Sequence, residues 1–103
     1  MVNMKGGMVR INVANIYYIE SQGHSLLYHT HSGTHISSGT MNAAEKQLEG
    51  YGFSRGNKSY LINLAYVDGI QDKCAQVKGE LLQISRPRQN AFLQSLMKYW
   101  SEH

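Results

Sequence analysis

The sequence predicts a mainly β fold with one short internal helix and one C-terminal helix. Two patterns carry that expectation. Most of the chain splits into short apolar or alternating runs separated by Gly-, Asn- and Ser-containing turns, the pattern of half-buried strands. Apolar residues at helical spacing occur in two places, around Met41 to Leu48 and from Phe92 to Trp100. A chain of 103 residues with 42% hydrophobic content suits one small domain with one core. No repeat, low-complexity segment or second domain interrupts it.

The elements follow in order. Met1 to Gly7 lacks periodicity and reads as a linker stub, which leaves the domain over residues 8–103. Met8 to Val13 alternates, with Val9, Ile11 and Val13 on one face and Arg10 and Asn12 on the other, so a strand is expected. Ala14-Asn15 turns the chain into the β-branched and aromatic strand Ile16 to Glu20. Ser21 to His24 reads as a loop, Ser25 to His31 as a third strand, Ser32-Gly33 as a hairpin turn and Thr34 to Ser38 as a fourth strand. The period then changes. Thr40 or Asn42 can cap a short helix through Leu48, Glu45 can complete a capping box with Asn42, and Gly50 fits the stop.

Ser54-Arg55-Gly56-Asn57-Lys58-Ser59 reads as a basic, donor-rich loop running into the strand Tyr60 to Asn63. Strands continue at Val67 to Gln71, Cys74 to Lys78 and Leu81 to Ser85, with a turn at Lys78-Gly79-Glu80. The terminal helix is expected to start near Arg86. Ser85 is a natural N-cap, and Pro87 falls in the first turn, where a missing N–H does no harm. Phe92, Leu93, Leu96, Met97 and Trp100 form its apolar stripe.

The net charge of +3 leans only weakly toward polyanions, but its distribution says more. From Leu81 to Ser101 the charged residues are Arg86, Arg88 and Lys98, with no acid, and no carboxylate lies between Glu49 and Asp68. Cys74 is the sole cysteine, so an internal disulfide and a CxxC site are excluded and a reducing compartment is the default. No apolar run approaches the roughly 18 residues of a membrane span. Lys5 is followed by Gly-Gly rather than by the apolar core of a signal peptide, so a cytoplasmic location is expected.

Several chemistries find little support. His29, His31 and His35 suggest zinc at first sight. With a Ser32-Gly33 turn, however, His31 pairs with Thr34 and Thr30 with His35, which turns His35 to the face opposite His29 and His31. No cysteine or carboxylate completes the set, and no metal or other cofactor is expected. No nucleophile elbow, Walker loop or dinucleotide fingerprint is present, and no acid, base and nucleophile assemble, so no catalytic residue is assigned.

The donor-rich positions stand apart. Arg55 and Lys58 form one basic stretch, and Ser85-Arg86-Pro87-Arg88 forms another at a helix start, where free backbone N–H groups favour an anion. Arginine can fork onto guanine O6 and N7. His24 can donate to a base or a phosphate.

Longer motifs run through the same residues. Asn15-Ile16-Tyr17-Tyr18-Ile19-Glu20-Ser21 is similar to a D-I-x-Y-I-E opening, with Asn15 in place of Asp. His24 follows in the next loop, and His29-Thr30 with Gly33 matches h-T-x-x-G. Phe53 to Asn63 matches F-x-R-x-H-[RK]-S-[YF]-[LIV]-[LIV]-N, with Asn57 at the histidine, and Ile84-Ser85-Arg86-Pro87-Arg88 matches [IV]-S-R-x-x. From about Met8 to Trp100 the chain resembles the LytTR-type DNA-binding domain, the output module of AlgR/AgrA/LytR-like response regulators.

The resemblance implies small stacked antiparallel sheets, an elongated β-β-β sandwich, that read DNA with loops in successive major grooves. It implies His24, Asn57, Lys58, Arg86 and Arg88 as DNA-binding residues, and Arg55, Ser59, Asn63 and Ser85 as loop support. Asn57 departs from the histidine there, so base preference at that contact is open, as is which of Arg86 and Arg88 reads bases. The expected partners are double-stranded DNA bearing direct repeats, a second copy of the domain, and a receiver domain in the full-length protein. The rival reading is a protein-interaction module using exposed strand edges and Tyr17, Tyr18, Tyr28 and Tyr66.

Overall fold

The computed structural model describes residues 2–4 and 7–103, with side chains from Arg10 onward. The strands are β1 Val2–Met4, β2 Gly7–Val9, β3 Ile16–Gln22, β4 Ser25–Thr30, β5 Gly33–Ser38, β6 Phe53–Asn57 and β7 Tyr60–Asn63, then β8 Val67–Gln71, β9 Cys74–Val77 and β10 Glu80–Gln83. Helix α1 is Met41–Gln47 and α2 is Gln89–Glu102. Among the described residues the strands form two antiparallel sheets, a seven-stranded one in the order β2-β1-β5-β4-β3-β7-β6 and a three-stranded one in the order β10-β9-β8. The fold is mainly β with two helices, as the sequence predicts, and measures 38 × 27 × 25 Å.

Strand alternation makes the large sheet a middle layer. Successive residues point to opposite faces. On β3 and β7, Tyr18 and Ile62 join a core with Val77, Ile84, Phe92 and Leu96, beneath the small sheet and α2. Their neighbours Ile19 and Leu61 face the other way, into a second core with Leu26, Met41, Ala44 and Leu48, beneath α1. Ile11 and Val13 pack on the rim of that second core.

Asparagine organises both exits from the central strands. Asn12 Oδ1 accepts from Ala14 N at 3.0 Å, and Asn63 Oδ1 accepts from Ala65 N at 3.1 Å, each capping a single 3₁₀ turn. The buried Asn63 also donates through Nδ2 to Ile16 O at 2.8 Å, and the Tyr66 hydroxyl donates to Ala14 O, which ties the two turns together.

Several expectations need correction. The strand expected over residues 8–13 stops at Val9, because Asn12 caps the 3₁₀ turn Val13–Asn15; the facing of the Val9 side chain lies outside the described residues. Within the stretch read as a linker, Val2–Met4 forms β1, pairing Met4 with Ser37, while Met1, Lys5 and Gly6 lie outside the described residues. The β4–β5 turn is His31-Ser32 rather than Ser32-Gly33. Thr30 Oγ1 accepts from Ser32 N and donates to Gly33 O, closing the turn one residue early, so His29 pairs with Thr34 and Tyr28 with His35.

The stretch from Ser54 to Asn57 is strand, not loop; a bulge between Arg55 and Asn57 lets it pair with β7 despite its polar composition. Thr40, not Asn42, caps α1, with its hydroxyl accepting from Ala43 N. The terminal helix starts at Gln89, after a 3₁₀ turn Arg86–Arg88, and Ser85 makes no side-chain cap. On α2 only Phe92 and Leu96 of the expected stripe are buried, joined by half-buried Tyr99. Leu93, Met97 and Trp100, about 100° further round the helix, are exposed because one sheet face covers one stripe.

Burial, followed by the carboxylates of Glu20 and Glu80 and the neighbouring Tyr60, pushes the Tyr18 phenol up from 10.0 to about 12. The folded state therefore holds the Tyr18 proton after the unfolded chain has lost it. The resulting stability is complete below pH 10 and is lost as pH climbs toward 12, on the order of 2 kcal/mol. Thermal melting between pH 9 and 12 is expected to show a steep fall in Tm for the wild type and a shallower one for Tyr18→Phe. Burial raises Tyr28 in the same direction, so part of the fall persists in the variant.

Candidate nucleic-acid interface

The site begins with two hairpin tips. β3 and β4 meet at Gly23-His24; Gly23 supplies the positive φ of +61° and leaves His24 exposed at the tip. β6 and β7 meet at Lys58-Ser59. There Asn57 Oδ1 accepts from Ser59 N at 2.6 Å, so the side chain imitates a backbone turn and thrusts Lys58 outward. The two tips are joined where Ser21 N donates to Ser59 O at 2.9 Å.

Arg55 holds the second tip from inside. It is only 8% exposed, and its guanidinium is fully engaged. Nε donates to Asn57 O at 3.1 Å and Nη2 to Lys58 O at 3.3 Å. Nη1 donates to Asn42 Oδ1 at 3.0 Å and to Glu45 Oε1 at 2.8 Å, the latter an ion pair. Asn42 and Glu45 therefore serve Arg55 rather than each other, which explains why the expected capping box does not form.

The third element follows β10. Ser85 N donates to Gly56 O at 2.8 Å, and Arg88 N donates to Ser85 O at 2.9 Å, so backbone alone shapes the 3₁₀ turn that carries Arg86 and Arg88. Arg88 stands at the start of α2, where the helix dipole adds positive potential.

These parts share one side of the molecule. A groove of about 520 Å³ is lined by His24, Ser25, Thr40, Asn42, Arg55 and Lys58. A second, of about 510 Å³, is lined by Lys58, Ser59, Tyr60, Gln83, Pro87 and Arg88. Lys58 is the ridge between them. Arg86 lines neither and is exposed at the outer start of its turn. Among the described residues the side chains of His24, Lys58, Arg86 and Arg88 make no hydrogen bond or ion pair, whereas every nitrogen of Arg55 donates to the protein.

Asn57 behaves unlike the others. Its Oδ1 serves Ser59, and its Nδ2 donates to Gln83 O at 2.6 Å. It lines the second groove beside Lys58, but both ends of its amide are taken by the protein. Sequence reasoning could not find this, because the partner carbonyl lies in the other sheet.

Of the aromatics in the rival reading, only Tyr17 and Tyr66 keep part of their surface. Tyr18 and Tyr28 are core residues, and Tyr17 lies under Lys78, 5.0 Å from its ring, and against Tyr66 at 4.7 Å. His29 is held by Glu20 at 3.0 Å and stacks on Tyr18, and no metal-holding group of three ligands occurs among the described residues.

Stacked antiparallel sheets that bring cationic turns to one side define a β module whose free donors suit an anionic partner. Comparison with known proteins gives the family. The family model for the LytTr DNA-binding domain matches residues 6–97, and the chain belongs to that family. Its structure is similar to the LytTr DNA-binding domain of a Bacillus cereus protein described as a putative methyl-accepting/DNA response regulator. The TM-score is 0.80 over 92% of this chain and 93% of that one, at 16% sequence identity, a likeness of fold. No curated protein matches the sequence. No helix among the described residues is long and apolar enough to cross a membrane.

Proposed function

We propose that this domain binds specific double-stranded DNA sequences as the output part of a response regulator in the cytoplasm, and that its role is binding rather than catalysis. The His24 tip, the Lys58 tip and the Arg86–Arg88 turn enter the major groove. The observation that carries this reading is the row of unpartnered cationic and imidazole donors with Lys58 at its centre, shared by two adjoining grooves. Donors that the fold leaves unused are free for phosphate oxygens and base edges. Lys58, His24 and Arg88 reach base edges, and Arg86, outside both grooves, holds a phosphate. Arg55, Ser59, Asn63 and Ser85 support the tips. Family membership supports two copies on a direct repeat and a receiver domain in the full-length protein.

Selection of bound duplexes from a random pool tests this. Enrichment of one short motif, present twice in the same orientation, is the expected result. A pool that stays unenriched even at low salt, where backbone attraction is strongest, contradicts it.

A further inference from the structure

We infer that Asn57 is a positioning residue: its amide fastens the Lys58 tip to the chain that leads into Arg88, fixing the spacing between these two DNA-contacting elements. The inference rests on the DNA-binding reading above.

Lys58 belongs to the seven-stranded sheet, whereas Arg88 follows the three-stranded one. No strand ladder joins the two sheets, so the distance between these side chains depends on packing and on what ties the rims together. Two hydrogen bonds do so. Asn57 Nδ2 donates to Gln83 O at 2.6 Å, and Ser85 N donates to Gly56 O at 2.8 Å.

Gly56 sits in contact range of the other sheet's backbone, and a side chain on it would press first on the tip of Ile62. A Cβ on it would lie 2.9 Å from Ile62 Cδ1 and 3.7 Å from Gln83 O. The Asn57 amide thus works at both ends. Its oxygen shapes the turn that presents Lys58, and its nitrogen anchors that turn to the other sheet. Base edges are read only when the donors are held to about 0.5 Å, which supporting hydrogen bonds provide.

Two substitutions separate the ends. Asn57→Asp keeps an acceptor for Ser59 N but sets a carboxylate against the Gln83 carbonyl, so only the tie between sheets is broken. Asn57→Ala removes both bonds. The first measurement needs no DNA. Spin labels at Lys58→Cys and Arg86→Cys, in a Cys74→Ser background, report the distance between the two elements. With Asn57 present, one narrow distribution is expected. Both variants, with circular dichroism showing the fold retained, should give a broader or displaced one. An unchanged distribution in folded Asn57→Asp overturns the inference.

The second measurement uses the selected duplex and versions with one base pair added or removed between the parts facing the two elements. The wild type should lose about tenfold or more on each altered duplex, the cost of one misplaced hydrogen bond. Asn57→Ala should bind the original site about tenfold more weakly but show a much smaller spacing penalty. Loss of discrimination at a single base pair, with the spacing penalty intact, would make Asn57 a direct reader and overturn the inference. If the wild type binds no duplex, the DNA-binding reading fails, yet the label distances still decide whether Asn57 sets the spacing.

Discussion

Replacing Lys58 and Arg88 together by alanine is expected to weaken binding to the selected duplex about a hundredfold while leaving Tm almost unchanged. Each side chain offers one charge-assisted hydrogen bond, worth roughly 1.5 kcal/mol or more, and the two effects compound. Neither makes a hydrogen bond or ion pair among the described residues, so the folded state gives up little. The salt dependence separates the two kinds of contact, and base-edge contacts by both residues predict a slope that stays nearly unchanged. Removing a cation that neutralises one phosphate lowers the slope of log affinity against log salt by about 0.9. A slope reduced by nearly two means both residues neutralise phosphates; an unchanged slope with relaxed base preference means both read base edges. Unaltered affinity in the double variant removes both from the interface.

The second large effect falls on stability. Arg55→Ala is expected to cost about 3 kcal/mol and lower Tm by well over ten degrees in a domain of this size. Removing the guanidinium strands the carbonyls of Asn57 and Lys58 and the Asn42 amide oxygen, and leaves Glu45 without its cation. Glu45 is half exposed and can turn to water, which holds the loss near the lower end for a broken buried pair. Arg55→Lys should recover little, since a single ammonium cannot reach four acceptors at fixed angles. Thermal melting of the three proteins checks this. DNA affinity of Arg55→Ala, measured well below its Tm, should also fall, because the same bonds hold the Lys58 tip.

These two residues show how far the site was legible in the sequence. Arg55 and Lys58 lie three apart in one basic segment, and composition alone treats them as equals. The fold gives them different surroundings, Arg55 buried and Lys58 exposed. The strand alternation of β6 sends Arg55 inward to α1, and the turn sends Lys58 outward. The family motif anticipated that difference; residue chemistry did not. Arg86 and Arg88 illustrate the same limit, because a 3₁₀ turn rather than the first turn of α2 decides which of them lines the groove.

The fold class was legible because strand alternation and two helical stripes are local signals. The errors arose where a single side chain redirects the backbone. Thr30 closes its hairpin one residue early, Asn12 ends a strand, and the bulge after Arg55 turns an apparent loop into strand. The role of Asn57 was least legible of all. Its partner is a backbone carbonyl 26 residues away, and every residue carries a carbonyl.

The most direct test of the proposed DNA-contacting edge is to follow the backbone amide signals of the domain by NMR as the selected duplex is added. The account predicts that the perturbed amides cluster at Gly23-His24, at Asn57 to Ser59 and at Ser85 to Arg88, with little change on the exposed face of α2 around Met97. Perturbations centred on α2 or on the Tyr17–Tyr66 pair, with the three turns silent, would contradict it.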